Sequence, residues 1–269
     1  MIGNEDDLAR LLTRVLEDYR DDAEFFSEHR LPEYLVMEEL SLEGRDLASF
    51  LTFTCVTNHI HDDTGKSKKT DGEDGLWQVC ARLWCEQPWM YRPEELVGDG
   101  RRAQLESILN DQAIMDSRDP DWWWQNATNL YEDYDSDPRV LLESEDYLAP
   151  EIKQTVSAER FLGLRGEKIC PLWLRLMHEE VHPLEQIEQV SIPVDFHIVG
   201  ITNKLAGTDF DRYNEDDLET LRNYWRILCE KHGFVAVEID KPLWLLNKYW
   251  RSAGEQYIRE LLTDIGVAN

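Results

Sequence analysis

No run in the 269-residue sequence approaches the roughly 20 consecutive apolar residues that a membrane-spanning helix requires. Residues 1–10 already contain three acidic side chains, so they lack the basic and then apolar layout of a secretory signal. The five cysteines are odd in number, and most lie within helical apolar patterns. These absences predict a soluble cytoplasmic protein with reduced thiols and no membrane partner, and they leave the oligomeric state open.

Basic residues are also scarce, and lysine most of all. The chain has 28 basic residues, of which nine are lysines, against 55 acidic residues, so its net charge is −27. Such a surface repels itself, and molar salt screens that repulsion because the Debye length falls to about 3 Å. The acidity is spread along the whole chain rather than gathered in a tail. This pattern favours a protein from a halophilic organism, and the alternative is an acidic protein that binds a basic partner.

Hydrophobic residues make up 42% of the chain and include ten tryptophans, which excludes a disordered protein. Almost every apolar pattern repeats with the 3.6-residue period of a helix, whereas only residues 234–239 alternate weakly like a strand. The predicted helices cover residues 8–16, 46–60, 75–85, 101–109, 119–131, 156–162, 168–180, 215–232, 240–250 and 254–265. The sequence therefore predicts an all-α fold.

Two short segments carry residues suited to catalysis. Residues 161–170 read FLGLRGEKIC, a Gly-x-x-Gly turn with Lys168 at the start of the helix that follows. Residues 191–197 read SIPVDFH, in which a proline-containing extended stretch delivers Asp195 to the N-terminus of the next helix. A lysine amine is nucleophilic when it is neutral, and a carboxylate stabilises positive charge that develops on a sugar ring.

The pair of segments resembles the helix-hairpin-helix/GPD superfamily of base-excision DNA glycosylases, and most of all its 8-oxoguanine glycosylase branch. The resemblance implies a two-lobed helical fold, with one lobe at residues 46–180 and a second formed by residues 1–45 and 181–269. It implies catalytic roles for Lys168 and Asp195. Contacts to double-stranded, base-damaged DNA would come from the remaining site residues: Gly163, Arg165, Gly166 and His197.

This resemblance also has departures. Leu162 stands where the family's hairpin has proline, and the two hairpin glycines are one residue further apart than in the short consensus turn. Only Cys229 lies in the region where many relatives carry four cysteines, so no iron–sulfur cluster is expected and no cofactor is implied. The expected reaction is removal of an oxidised purine followed by strand cleavage through a lysine Schiff base. The extruded base would stack on tryptophans: Trp77, Trp84, Trp89 or the run at 122–124.

Other interpretations of these residues stay open. The same hairpin suits a catalytically silent protein that binds nucleic acid or another partner. His178, Glu179 and His182 match the H-E-x-x-H pattern of zinc hydrolases, although Pro183 disfavours a helix through the second histidine. A metal site at residues 59–63 and a phosphate contact at the lysine-rich residues 66–69 are further alternatives.

Overall fold

The computed structural model describes residues 2, 4–58, 75–112 and 115–267. Within these ranges the chain is helical and contains no β-strand, which confirms the all-α prediction; one isolated bridge joins Leu148 to Glu185. None of the described helices combines the length and the apolar character needed to cross a bilayer. The chain divides into a central unit, Pro32–Gln189, and a terminal unit made of Met1–Leu31 and Val190–Asn269.

The central unit contains nine of the helices that the structure describes. They are α2 (Pro32–Leu40), α3 (Gly44–Val56), α4 (Leu76–Glu86), α5 (Pro93–Leu96), α6 (Arg102–Asn110), α7 (Asp119–Asp133), α8 (Pro138–Ser144), α9 (Ala149–Thr155) and α10 (Ile169–Glu180). A π-helical segment, Val156–Arg160, continues α9. Two short 3₁₀ turns complete the unit: Pro88–Tyr91 and Ile187–Gln189.

Helix α3 forms the centre of this unit. Every side chain at positions 47–56 is buried, as the nearly continuous apolar run predicts. Helices α4, α7, α8 and α10 pack around it. The indole of Trp173 donates to Thr52 Oγ1 over 3.0 Å, and Phe53 stacks on Trp123 with ring centroids 5.0 Å apart. The buried indole N–H of Trp173 is therefore satisfied within the core.

The terminal unit combines both ends of the chain. Its helices are α1 (Glu5–Arg20), α11 (Phe196–Ala206), α12 (Glu215–His232), α13 (Ala236–Lys248) and α14 (Glu255–Asp264). A 3₁₀ turn lies at Glu24–Ser27, and a π-helical segment, Trp250–Gly254, separates α13 from α14. Helices α11 and α13 pack against each other along their length. Buried Trp225 on α12 donates to Thr202 Oγ1 on α11 over 3.0 Å.

Capping residues set several boundaries as the sequence predicts. Asn214 accepts from the amide of Asp216 at the start of α12, and Gly233 closes that helix with φ +73°. Of the helix predicted at 156–162, residues 156–160 form the π-helical continuation of α9, and residues 161 and 162 lie beyond its end. Helix α7 begins at Asp119, where the sequence predicts a helix over residues 119–131.

The predicted strand at 234–239 and the predicted helix start at residues 240–242 are both wrong. Helix α13 begins at Ala236 and carries Pro242 in its interior. An interior proline costs about 3 kcal/mol. Helical spacing of the apolar residues buries one face of α13 and offsets that cost. The residues concerned are Ala236, Val237, Ile239, Leu243 and Leu246.

Candidate active site

The hairpin at residues 161–168 connects the π-helical segment to α10 within the central unit. Gly163 has φ +82°, and a Cβ at this position would lie 2.5 Å from the carbonyl oxygen of Val56 at the end of α3. Asn126 on α7 donates its side-chain amide to the carbonyl of Leu162 over 2.7 Å. The first half of the hairpin is thus fixed to two core helices, and glycine at 163 is required both by backbone conformation and by space.

The second half of the hairpin is exposed. Arg165, Gly166 and Glu167 all face solvent, and a Cβ at Gly166 would meet nothing within 4 Å. The amide of Arg165 donates to the carbonyl of Phe161 over 3.2 Å, and Gly166 accepts from the amide of Cys170 over 2.9 Å. The two hairpin glycines therefore differ, since only Gly163 has a backbone reason to lack a side chain.

Lys168 is the residue immediately before α10. Its side chain is half-buried, whereas Ile169 and Cys170, which follow it, are buried. The pKa of the Cys55 thiol on α3 is raised well above its usual range by burial and also by Glu33, and the charges of Arg175 and Lys168 oppose that rise. The Lys168 amine is therefore close enough to α3 to act electrostatically on Cys55.

Asp195 is the N-cap of α11 in the terminal unit. Its Oδ1 accepts from the amide of His197 over 2.8 Å and from the amide of Ile198 over 3.0 Å. Pro193 and Val194, which precede it, are buried, while Asp195 itself is half-buried. The two backbone donors and the buried residues before Asp195 fix the orientation of this carboxylate before any ligand binds.

His197 lies in the first turn of α11 and is only 7% exposed. Its ring contacts Phe196 and Trp244, with centroid separations of 3.9 Å and 4.4 Å. Its Nδ1 lies 3.0 Å from Nδ2 of Asn247 on α13. The residue expected to contact DNA is thus packed between aromatic rings and joined to α13.

The structure places the sequence-predicted residues in two groups. Gly163, Arg165, Gly166 and Lys168 share the hairpin of the central unit. Asp195 and His197 share the first turn of α11 in the terminal unit. Each group is local in sequence: the first precedes α10, and the second begins α11. The expected approach of Lys168 to Asp195 stays a prediction.

The three residues of the H-E-x-x-H pattern make contacts with other residues of the central unit. Helix α10 ends at Glu180, so His182 lies beyond it, as Pro183 predicts. His178 Nδ1 accepts from the amide of Leu184 over 2.8 Å, and the His182 ring stacks on Tyr147 at 3.9 Å. Across the described ranges, no three His, Cys, Asp or Glu side chains are grouped so that they could hold a metal ion. The alternatives at residues 59–63 and 66–69 lie outside the described residues.

The tryptophans considered as stacking partners lie mostly in the core. Trp77, Trp84 and Trp123 are buried, and the indole of Trp123 donates to the carbonyl of Met90 over 2.9 Å. Trp122 packs against the hairpin, because its Cε3 would lie 3.0 Å from a Cβ at Gly163. Of the run at 122–124, Trp122 is thus the ring next to the candidate site.

Sequence reasoning missed a buried polar group on α10. Arg175 pairs with Glu33 on α2 over 2.6 Å, and the side chains are 2% and 8% exposed. One turn further along α10, Glu179 accepts from the hydroxyl of Tyr34. Arg175 and Glu179 follow an i, i+4 spacing, which places both on one face of the helix. That spacing could have indicated polar side chains on one face of α10, but it does not identify their partners on α2.

Comparison with known proteins gives no relative: no family model matches the chain, and no curated protein or solved structure matches it.

Proposed function

We propose that this chain is a base-excision DNA glycosylase with AP lyase activity, which removes a damaged base, an oxidised purine, from double-stranded DNA through a Schiff base at Lys168. The observation that carries the proposal is the hairpin itself. A half-exposed lysine stands directly before α10, at the end of a turn whose Gly163 is locked against the Val56 carbonyl. This arrangement presents a primary amine on a rigid support, which nucleophilic catalysis requires.

Lys168 and Asp195 take different parts in the reaction. The neutral amine of Lys168 attacks C1′ of the extruded nucleotide, the C1′–N bond breaks, and the base leaves with the electron pair and takes a proton from solvent. The resulting amine opens the sugar ring to a protonated imine. Loss of a proton from C2′ then expels the 3′-phosphate, and water releases the lysine.

Asp195 would stabilise the positive charge that develops on the sugar during base loss. Its Oδ1 is held by the amides of His197 and Ile198, so the carboxylate is oriented in advance. Asp195 can cap α11 at the same time, because the two backbone hydrogen bonds use Oδ1 and leave Oδ2 for a ligand. The exposed backbone at Gly166 supplies an N–H group for a DNA phosphate.

Borohydride trapping tests the proposal. Wild-type protein and DNA duplexes that carry an oxidised, deaminated or abasic site are mixed in molar KCl with borohydride, and covalent adducts are separated by electrophoresis. We expect an adduct with at least one lesion, and we expect Lys168→Gln to abolish it. Lys153→Gln is the matched control, since Lys153 pairs with Glu167 of the same hairpin over 2.8 Å and should leave the adduct intact.

Two results would overturn the assignment. An adduct that persists in Lys168→Gln would move the nucleophile to another amine. Absence of an adduct with every lesion, together with DNA binding, would leave the non-catalytic helix-hairpin-helix binding protein as the better description.

A further inference from the structure

Two helical segments of the terminal unit lack acidic residues in a chain where about one residue in five is acidic. Residues 196–208 and 241–254 contain no aspartate or glutamate. They form α11 and most of α13 with the π-helical segment after it, and these elements pack together. The basic residues in the two segments are Lys204, Lys241, Lys248 and Arg251. Packing thus joins the two segments into one region without carboxylates of its own.

Asn247 links the two segments through its side chain. Its Nδ2 lies 3.0 Å from His197 Nδ1, and its Oδ1 accepts from Lys204 Nζ. Gly200 makes room for it, because a Cβ at position 200 would lie 2.7 Å from Asn247 Oδ1. Since the amide oxygen faces the lysine, the amide nitrogen donates to His197 Nδ1. The Lys204 amine is thereby held in a fixed place on the surface.

The cations of this region are placed on aromatic rings. Lys204 Nζ lies 5.1 Å from the ring centroid of Trp250, and Lys248 Nζ lies 4.9 Å from that of Trp244. Both tryptophans are half-buried, so part of each ring is accessible. We call the set Lys204, Trp244, Lys248, Trp250 and Arg251 the α11–α13 surface.

Lys204 and Arg251 have no carboxylate partner among the residues that the structure describes, although most arginines in those ranges are ion-paired. Partial burial lowers the pKa of Lys204, and the charge of Arg251 lowers it further. Lys204 lies over the ring of Trp250, the residue directly before Arg251, so an anion bound at this place would offset the positive charge of both side chains.

We propose that the α11–α13 surface binds the sugar–phosphate backbone of DNA beside the damaged nucleotide, with Lys204 and Arg251 contacting phosphates. This inference rests on the proposed function, because it takes Asp195 as the reference point. A rise of 1.5 Å per residue places Lys204 about 13 Å along α11 from Asp195. Base steps of 3.4 Å make that distance about four nucleotides along a strand.

DNA fits this surface better than an acidic peptide does. Lys204 and Lys248, each placed over a tryptophan ring, provide positive charge for the regularly spaced phosphates of a duplex. A local cationic region also supplies the positive charge that contact with a polyanion requires, in a chain whose net charge is −27.

The salt dependence of DNA binding tests the surface. Fluorescence anisotropy would measure the affinity of the full-length protein for an abasic-analogue duplex between 0.2 and 2 M KCl. For the double variant Lys204→Gln/Arg251→Gln we expect affinity reduced about tenfold or more at the low-salt end. The plot of log K against log[KCl] should be less steep by about two. Arg251→Gln alone, which leaves the Asn247 contacts intact, should show about half the change in slope.

The control has the same change of charge within the same unit. Lys231 pairs with Glu5 over 2.7 Å and Arg259 pairs with Glu255 over 2.6 Å, so Lys231→Gln/Arg259→Gln should leave the slope unchanged. Equal slopes for the two double variants would overturn the inference, and so would binding of wild type to an acidic peptide in preference to DNA.

Borohydride trapping at saturating DNA separates this inference from the proposed function. If wild type and the Lys204/Arg251 variant both form the adduct while only the variant binds weakly, both proposals hold. If wild type forms no adduct, while the two substitutions still reduce the affinity for DNA, the proposed function fails and the DNA-binding role of the α11–α13 surface is supported.

Discussion

The backbone of Gly163 lies directly against the carbonyl of Val56, so that a Cβ at position 163 would stand 2.5 Å from that oxygen. The contact joins the candidate hairpin to the most buried helix of the central unit. Gly163→Ala should therefore destabilise the protein by about 2–4 kcal/mol, because a positive φ and a steric overlap both oppose it. Chemical unfolding followed by circular dichroism measures the effect. Gly166→Ala is the control and should change stability by less than about 0.5 kcal/mol; equal losses would contradict the distinction.

Asp195 combines a capping role with the proposed catalytic role, and two substitutions separate them. Asp195→Asn keeps an oxygen for the amides of His197 and Ile198, so stability should change little. Asp195→Ala removes the cap and should cost about 0.5–2 kcal/mol. Both variants should lose base excision, because neither carries the negative charge. Thermal unfolding and a glycosylase assay in parallel would check this. Full activity in Asp195→Asn would show that the negative charge of Asp195 is not needed for base excision.

The ion pair between Arg175 and Glu33 is almost completely buried. Glu33→Gln removes the carboxylate that pairs with the buried guanidinium of Arg175, so we expect a loss of about 3–5 kcal/mol in the free energy of unfolding. Replacing both members, by Glu33→Leu with Arg175→Met, should recover most of that loss. The exposed pair of Arg226 and Glu230 provides the control, and Arg226→Gln should cost less than about 1 kcal/mol. A small effect of Glu33→Gln would show that water reaches Arg175.

Burial raises the pKa of the Cys170 thiol to about 12, a rise to which Glu167 adds and which Lys153 opposes. In the unfolded chain a thiol loses its proton near pH 8.5, so the folded state binds the extra proton between about pH 9 and 12. The contribution of this thiol to the free energy of unfolding is therefore fully present below about pH 8.5. It falls as the pH rises, by up to about 1.4 kcal/mol per pH unit. Cys170→Ala should flatten that decline in urea unfolding curves, whereas Cys85→Ala should not, because Cys85 is exposed.

The net charge of −27 predicts that salt stabilises the fold. Screening of the self-repulsion should raise the melting temperature by several degrees between 0.1 and 2 M KCl. Differential scanning calorimetry would measure the shift, with sucrose of equal osmolality as an uncharged control. A melting temperature that does not rise, or that rises equally in sucrose, would contradict salt adaptation.

Local signals in the sequence were sufficient for much of the secondary structure. Asn4 and Asn214 cap α1 and α12 by bonds that span two or three residues, and Gly233 ends α12 through its own backbone conformation. Asp195 was likewise placed at the start of a helix by the Pro-Val sequence before it. Such interactions involve neighbours along the chain, and therefore the sequence alone determines them.

Tertiary packing decided the rest. Helix α13 runs through Pro242 because burial of its apolar face outweighs the local cost. Glu33 finds Arg175 across 142 positions of sequence, and Asn247 meets His197 across 50, so no periodicity could have named these partners. Burial and pairing depend on which faces meet when helices pack. The sequence by itself determined where most of the helices lie and which residues cap several of them, while only the folded chain decided that His197 is covered and that Lys204 lies between Asn247 and the ring of Trp250.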